Sequence, residues 1–244
     1  MSNNPFASLK PAEDILGGDE DRIGGFQLLD TNVYDFTVKM CYLIVAESGA
    51  KGVFFEFEDA SGNTMRKTLY VTSGTSKGGQ HWWVDRDGNK NYLPSYVTAN
   101  SIFGFATGKQ LFEQETSDRE VEVWDSEEKK MMPRKMPVFM EILGKQARLG
   151  VVKQMVDGHP DKTVSREEND IDKAFHPVSG VTLAEMSNGE TEGQFIDKWL
   201  TKNKGQVIDK RKDSRGSNAG GVAGMPSSAG ASGAGGQVKS LFAK

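Results

Sequence analysis

At 244 residues, 36% hydrophobic and 26% charged, the chain can hold one sizeable domain or two small ones and is too apolar to be disordered throughout. A formal net charge of −4 excludes a blanket basic surface, so any nucleic-acid site must be a local patch or groove. The only cysteine, Cys41, lies in an apolar strand-like run; this excludes intrachain disulfides, argues against a thiolate zinc centre, and predicts a buried thiol.

Residues 1–30 carry Pro5, Pro11, Gly17, Gly18, Gly24 and Gly25 among acids and read as a flexible N-terminal arm. From Val33 to Ala46 an alternation of Tyr34, Phe36, Val38, Met40, Tyr42 and Ile44 predicts a long strand. A turn at Ser48–Gly52 leads into a second strand with Val53, Phe55 and Phe57 inward and Phe54 outward. A turn at Ser61–Asn63 leads into a third, Thr64 to Thr72, with Met65, Leu69 and Val71 inward. Phe54, Arg66 and Tyr70 would then form an outer patch on two adjacent strands.

Residues 73–80, Ser-Gly-Thr-Ser-Lys-Gly-Gly-Gln, read as a mobile glycine loop. His81-Trp82-Trp83-Val84 then turns over Asp87-Gly88 into Tyr92-Leu93, a signal for a β-hairpin with a type I′ turn. Adjacent tryptophans on a strand point to opposite faces, so a hairpin arm over residues 73–93 must leave at least one exposed. Lys77, Arg86 and Lys90 interleave with Trp82, Trp83 and Tyr92. Flat π-faces beside cations suit a single strand of nucleic acid, whose bases stack while its phosphates take positive charge.

Pro94 opens a helix closed by Gly108. Strands are expected at Glu120–Trp124, with Trp124 in the core, and at Met136–Leu143 and Ala147–Val156, the last two joined tightly at Gly144-Lys145. The pattern is mainly β with accessory helices. A helix between strands three and four and a closing hairpin over residues 31–156 are the ingredients of a Greek-key barrel of oligonucleotide-binding (OB) type, although an SH3-like barrel or an open α+β sheet shares them. Residues 157–204 read as a polar loop with a short element at Ile171–Phe175, followed by a helical extension. On its last helix Phe195, Ile196, Trp199 and Leu200 share a face that docks on the barrel. Residues 205–244 read as a disordered Gly/Ala/Ser tail. Its tip, with Lys239, Leu241, Phe242 and Lys244, has the character of a peptide that docks into another protein.

Catalytic chemistry finds little support. Gly74-Thr75-Ser76-Lys77-Gly78 matches the G-x-S-x-G of serine hydrolases but opens into loop and strand, where the nucleophile elbow needs a helix. Asp85, Asp87 and Asn89 fall short of a calcium loop, because the glycine is misplaced and Tyr96 stands where a glutamate is required. His81, His159 and His176 have no metal-ligand spacing, and Asn169-Asp170-Ile171-Asp172 reads as solvent-facing. We therefore expect no enzyme, cofactor or metal.

Lys77-Gly78-Gly79 with the aromatic arm and Tyr92-Leu93-Pro94 resembles the single-stranded DNA-binding proteins of tailed bacteriophages. The likeness runs on through Val121–Asp125, Leu143-Gly144-Lys145, Leu149-Gly150 with Lys153-Gln154, Asn169–Lys173 and Lys239–Ala243. It implies an OB-type barrel that coats single strands in phage DNA replication and recombination, with Lys77, Trp82, Trp83, Arg86, Lys90 and Tyr92 as strand contacts. It also implies a C-terminal peptide that recruits replication, recombination or transcription proteins, and self-association on DNA. The bacterial proteins of this kind end in an acidic tip, whereas this chain ends in Lys239-Ser240-Leu241-Phe242-Ala243-Lys244, so the same partner pockets do not follow. No apolar run approaches a membrane span, and Met1–Phe6 lacks the basic start and apolar core of a signal peptide. The expected location is the cytoplasm, that of the host cell if the chain is phage-encoded. The rival readings are a phage structural or adaptor protein that binds no nucleic acid, and a serine hydrolase using Ser76.

Overall fold

The computed structural model describes residues 28–125, 127–158, 161 and 164–211. The expectations for residues 1–27, for His159 and for residues 212–244 with Lys239, Leu241, Phe242 and Lys244 lie outside the described residues. Three strands open the fold as an antiparallel meander: β1 (Asn32–Val45), β2 (Lys51–Asp59) and β3 (Thr64–Tyr70). Their alternation buries Phe36, Val38, Val53, Phe55, Phe57, Met65 and Leu69 on one face. A bulge between Val38 and Met40 interrupts the pairing of β1 with β2. An extra residue reverses the side-chain parity, so Cys41 joins the main core while Met40, Tyr42 and Ile44 turn to the opposite face. The alternation along β1 thus changes face at Lys39.

The arm of β4 (Trp82–Val84) and β5 (Lys90–Tyr92) forms its own two-stranded sheet. Helix α1 (Pro94–Thr107) follows, with Pro94 in its first turn and Gly108 in the left-handed conformation at its end, and it lays Ala99, Ile102 and Phe103 against the main core. Next come β6 (Ser117–Asp125) and β7 (Lys130–Val138), an antiparallel hairpin joined to β1 only at Tyr42↔Val138. Its inner side chains, Val121, Val123 and Met136, build a second core with Tyr42 and Phe54, whose rings stack at 4.5 Å. The strand expected at Met136–Leu143 ends at Val138. Residues 139–145 turn instead, so the expected hairpin across Gly144-Lys145 is replaced by a β6–β7 pair.

Strand β8 (Gln146–Asp157) runs between β1 and β9 (Ser165–Phe175). Residues 165–170, expected to be part of a polar loop, therefore join Ile171–Phe175 in one long strand. Helix α2 (Leu183–Ser187) is followed by α3 (Phe195–Asn203), which packs Ile196, Trp199 and Leu200 with Val33, Val152, Phe175 and Ile208, and β10 (Val207–Asp209) pairs with β8 in parallel, so the sheet extends past residue 205, where a tail was expected. Trp199 of α3 is 3% exposed, packs on Phe175, and donates its indole N–H to Asp172 at 2.6 Å. Gly150 makes this docking possible, since a Cβ there would lie 3.1 Å from the Trp199 ring.

The described residues are thus mainly β with three helices, and the strand path β9-β8-β1-β2-β3 is not closed by backbone pairing. Side chains span the opening between its two ends. Lys67 of β3 reaches Asp170 of β9 at 2.9 Å and the Asn169 carbonyl at 3.3 Å.

Candidate nucleic-acid interface

The loop between β3 and the arm is shaped by local hydrogen bonds. Thr75–Lys77 make a single 3₁₀ turn, and Gly78 and Gly79 take φ of 84° and 61° to leave it. Ser73 N–H donates to the Gln80 carbonyl at 2.7 Å, and Gln80 N–H donates back to the Ser73 hydroxyl at 3.0 Å. Thr75 donates through both its amide and its hydroxyl to the Ser48 carbonyl, at 2.8 and 3.1 Å, which seats the loop on the β1–β2 turn. Two glycines permit this approach: a Cβ on Gly74 would lie 2.9 Å from the Ser48 carbonyl oxygen, and one on Gly49 would lie 2.4 Å from the Thr75 methyl.

The arm pairs Trp82 with Tyr92, Trp83 with Asn91 and Val84 with Lys90. Its turn corrects the expected type I′ geometry. Only Gly88 has positive φ, at 85°, and Gly88 N–H donates to the Asp85 carbonyl, giving the three-residue turn Arg86-Asp87-Gly88 with glycine in the bulge position. The Asp85 carboxylate accepts from the amides of Asn89 and Asp87, at 2.8 and 3.0 Å, and from the Asn89 and Asn91 side chains. The Asn89 amide, with these other donors, holds its pKa below the usual carboxylate value. At the arm's base, the His81 ring packs 4.8 Å from Tyr96 and 5.5 Å from Tyr92, fastening the hairpin to the start of α1.

Loop, arm and the end of β3 enclose a groove of about 840 Å³ lined by Tyr70, Lys77, Trp82 and Trp83 together with Ser48, Thr72, Ser73, Ser76, Gln80 and Ser95. Trp83 is 49% exposed and Tyr70 45% exposed, while Trp82 is half-buried with the Lys90 ammonium 4.4 Å over its ring. Lys77, Arg86 and Lys90 are exposed and make no ion pair among the described residues. The groove therefore combines two accessible aromatic faces, a third ring with the Lys90 ammonium already over it, the Lys77 ammonium, and hydroxyls able to donate to phosphate oxygens.

The remaining expected contacts fall elsewhere. Tyr92 is half exposed but turned toward His81 and Tyr96. Arg86 projects from the arm's tip. Arg66 is ion-paired with Glu56, directly opposite on β2, at 2.6 Å. Phe54 faces outward from β2 as expected but lies under the β6–β7 hairpin, stacked on Tyr42, so no open patch of Phe54, Arg66 and Tyr70 exists. Trp124, expected in the core, is 60% exposed, because on β6 it points away from Val121 and Val123. Ser48 and Ser95 are groove residues that sequence reasoning did not find; each lies far along the chain from the loop it meets.

Among the described residues nothing assembles a nucleophile at Ser76. Its turn runs into Gly78-Gly79 rather than a helix, and His81, the nearest histidine in sequence, is packed between tyrosine rings. Among the described residues no three His, Cys, Asp or Glu side chains converge to hold a metal. The acids at 169–172 have structural partners instead: Asp170 pairs with Lys67 and Lys210, and Asp172 accepts from Trp199. Among the described residues no helix is long and apolar enough to cross a membrane. No family model matches the chain, and no curated protein matches it.

Proposed function

We propose that the chain binds single-stranded DNA without strong sequence preference, along the groove between the glycine loop and the aromatic arm. The observation that carries this reading is the grouping of Tyr70, Trp82 and Trp83 with unpaired Lys77 in one open groove. Every base has a π-face, so ring stacking is tolerant of sequence, and it contributes roughly 1–3 kcal/mol per base. A local groove also reconciles strand binding with the acidic net charge of −4.

The strand order supports an OB-type reading of the fold. A three-strand meander, a helix, then a strand returning to β1 and a final strand beside it follow that barrel's connectivity, with the Lys67 ion pair standing where barrel closure would fall. The resemblance to phage proteins supports a role in DNA replication and recombination, with the C-terminal segment as a recruiting peptide.

Titrating tryptophan fluorescence with oligo-dT at two salt concentrations tests the reading. Quenching should saturate, and log K should fall with log salt by roughly 0.7 per neutralised phosphate. An absence of quenching and of any salt dependence would reject it.

A further inference from the structure

The β6–β7 hairpin is not used by the groove and presents an incomplete face. Among the described residues β6 is hydrogen-bonded only to β7, leaving its other edge open along Ser117–Asp125. The outer edge of β7 is a poor template, because Pro133 and Pro137 lack donors. On the outer face Trp124 is 60% and Met131 43% exposed, directly opposite each other. Glu120 and Glu122 share the face of Trp124 and make no ion pair among the described residues, whereas neighbouring Asp118 and Asp125 are paired with Lys135 and Arg134. An open edge with an apolar end invites another strand.

The charges select the occupant. Nucleic acid is repelled by Glu120 and Glu122, and pairing with a second copy of β6 about Val121 would set Glu120 against Glu122. A cationic, apolar strand fits, and the chain supplies one in Val238-Lys239-Ser240-Leu241-Phe242-Ala243-Lys244, which has two lysines and no acid. Residues 212–237, rich in glycine, alanine and serine, join that segment to the described fold.

We infer that the open edge of β6 docks the chain's own segment Val238–Lys244 as an added parallel strand, with Lys239 beside Glu122 and Leu241 beside Trp124. Both pairs are two residues apart and therefore share one face. This inference does not rest on the strand-binding reading. It means that the segment is held on the hairpin until a partner or a neighbouring copy competes for it.

The test uses the full chain with Gln237→Cys carrying a nitroxide; Cys41 is fully buried and escapes the label. The Trp124 indole N–H signal should be lost with the oxidised label and return when it is reduced. Glu122→Lys should restore the signal in the oxidised state, and the swap Glu122→Lys with Lys239→Glu should lose it again. A Trp124 signal that persists beside the oxidised label, or loss confined to Trp82 and Trp83, would overturn the inference. Failure of the charge swap to re-establish the loss would do the same.

Discussion

Replacing Trp83 with alanine isolates the stacking contribution of the arm. The ring is 49% exposed, pairs across the arm with Asn91 rather than with another ring, and has no cation over it among the described residues, so one face is available for one base. Losing one stack should cost roughly 1–3 kcal/mol, which is about a 5- to 160-fold rise in Kd for oligo-dT at fixed salt. An indole carries no charge, so the slope of log K against log salt should not change. The arm is its own two-stranded sheet, so urea unfolding of the main sheet should also stay as in the parent. Fluorescence anisotropy of a labelled oligo-dT at three salt concentrations reads affinity and slope together. An unchanged Kd would remove Trp83 from the binding surface, and an altered salt slope would show that the substitution had rearranged the neighbouring cations.

The complementary change, Lys77→Ala, should flatten the salt slope by roughly 0.7 while leaving tryptophan quenching at saturation intact, as the same titrations would show. Gly150→Ala should destabilise the fold by about 1–3 kcal/mol in urea unfolding, because its Cβ would press on the Trp199 and Phe175 rings at 3.1 and 3.2 Å, and neither ring is a flexible tip. The arm's turn should loosen in acid. The Asp85 carboxyl is held below its ordinary 3.8 by the amides it accepts from, so its contribution is complete above that value and fades as pH falls through the depressed one. Amide exchange at Asp87 and Asn89 should accordingly be slow near neutrality and accelerate below about pH 4 beyond its intrinsic trend, and Asp85→Ala should show the fast exchange at neutral pH.

The parts of the fold that could be read from sequence are those fixed locally. Alternation set the inner rows of β2 and β3, Pro94 and Gly108 bounded α1, and the run from Trp82 to Tyr92 announced a hairpin. Strand β9 was hidden because only Ile171, Ala174 and Phe175 of it are buried, while its polar side chains answer cations on other strands, as Glu167 does Lys153 and Asp170 does Lys67. Long-range packing decided the fate of several aromatics. Phe54 was correctly placed on the outer face, but nothing local shows that β6–β7 folds over it, and the parity that buries Val121 and Val123 necessarily turns Trp124 outward. The groove was half legible. Its cations and rings lie in one stretch of sequence, whereas Ser48, which anchors the loop, comes from the turn after β1.

The account rests on unpaired bases lying on the rings of one groove, and photo-crosslinking tests this most directly. An oligonucleotide carrying 5-iododeoxyuridine, irradiated with the full chain and mapped by mass spectrometry, should give adducts at Tyr70, Trp82 or Trp83, and these should disappear with excess oligo-dT. Adducts confined to Trp124 or Trp199, or none at all under saturating oligonucleotide, would contradict the account.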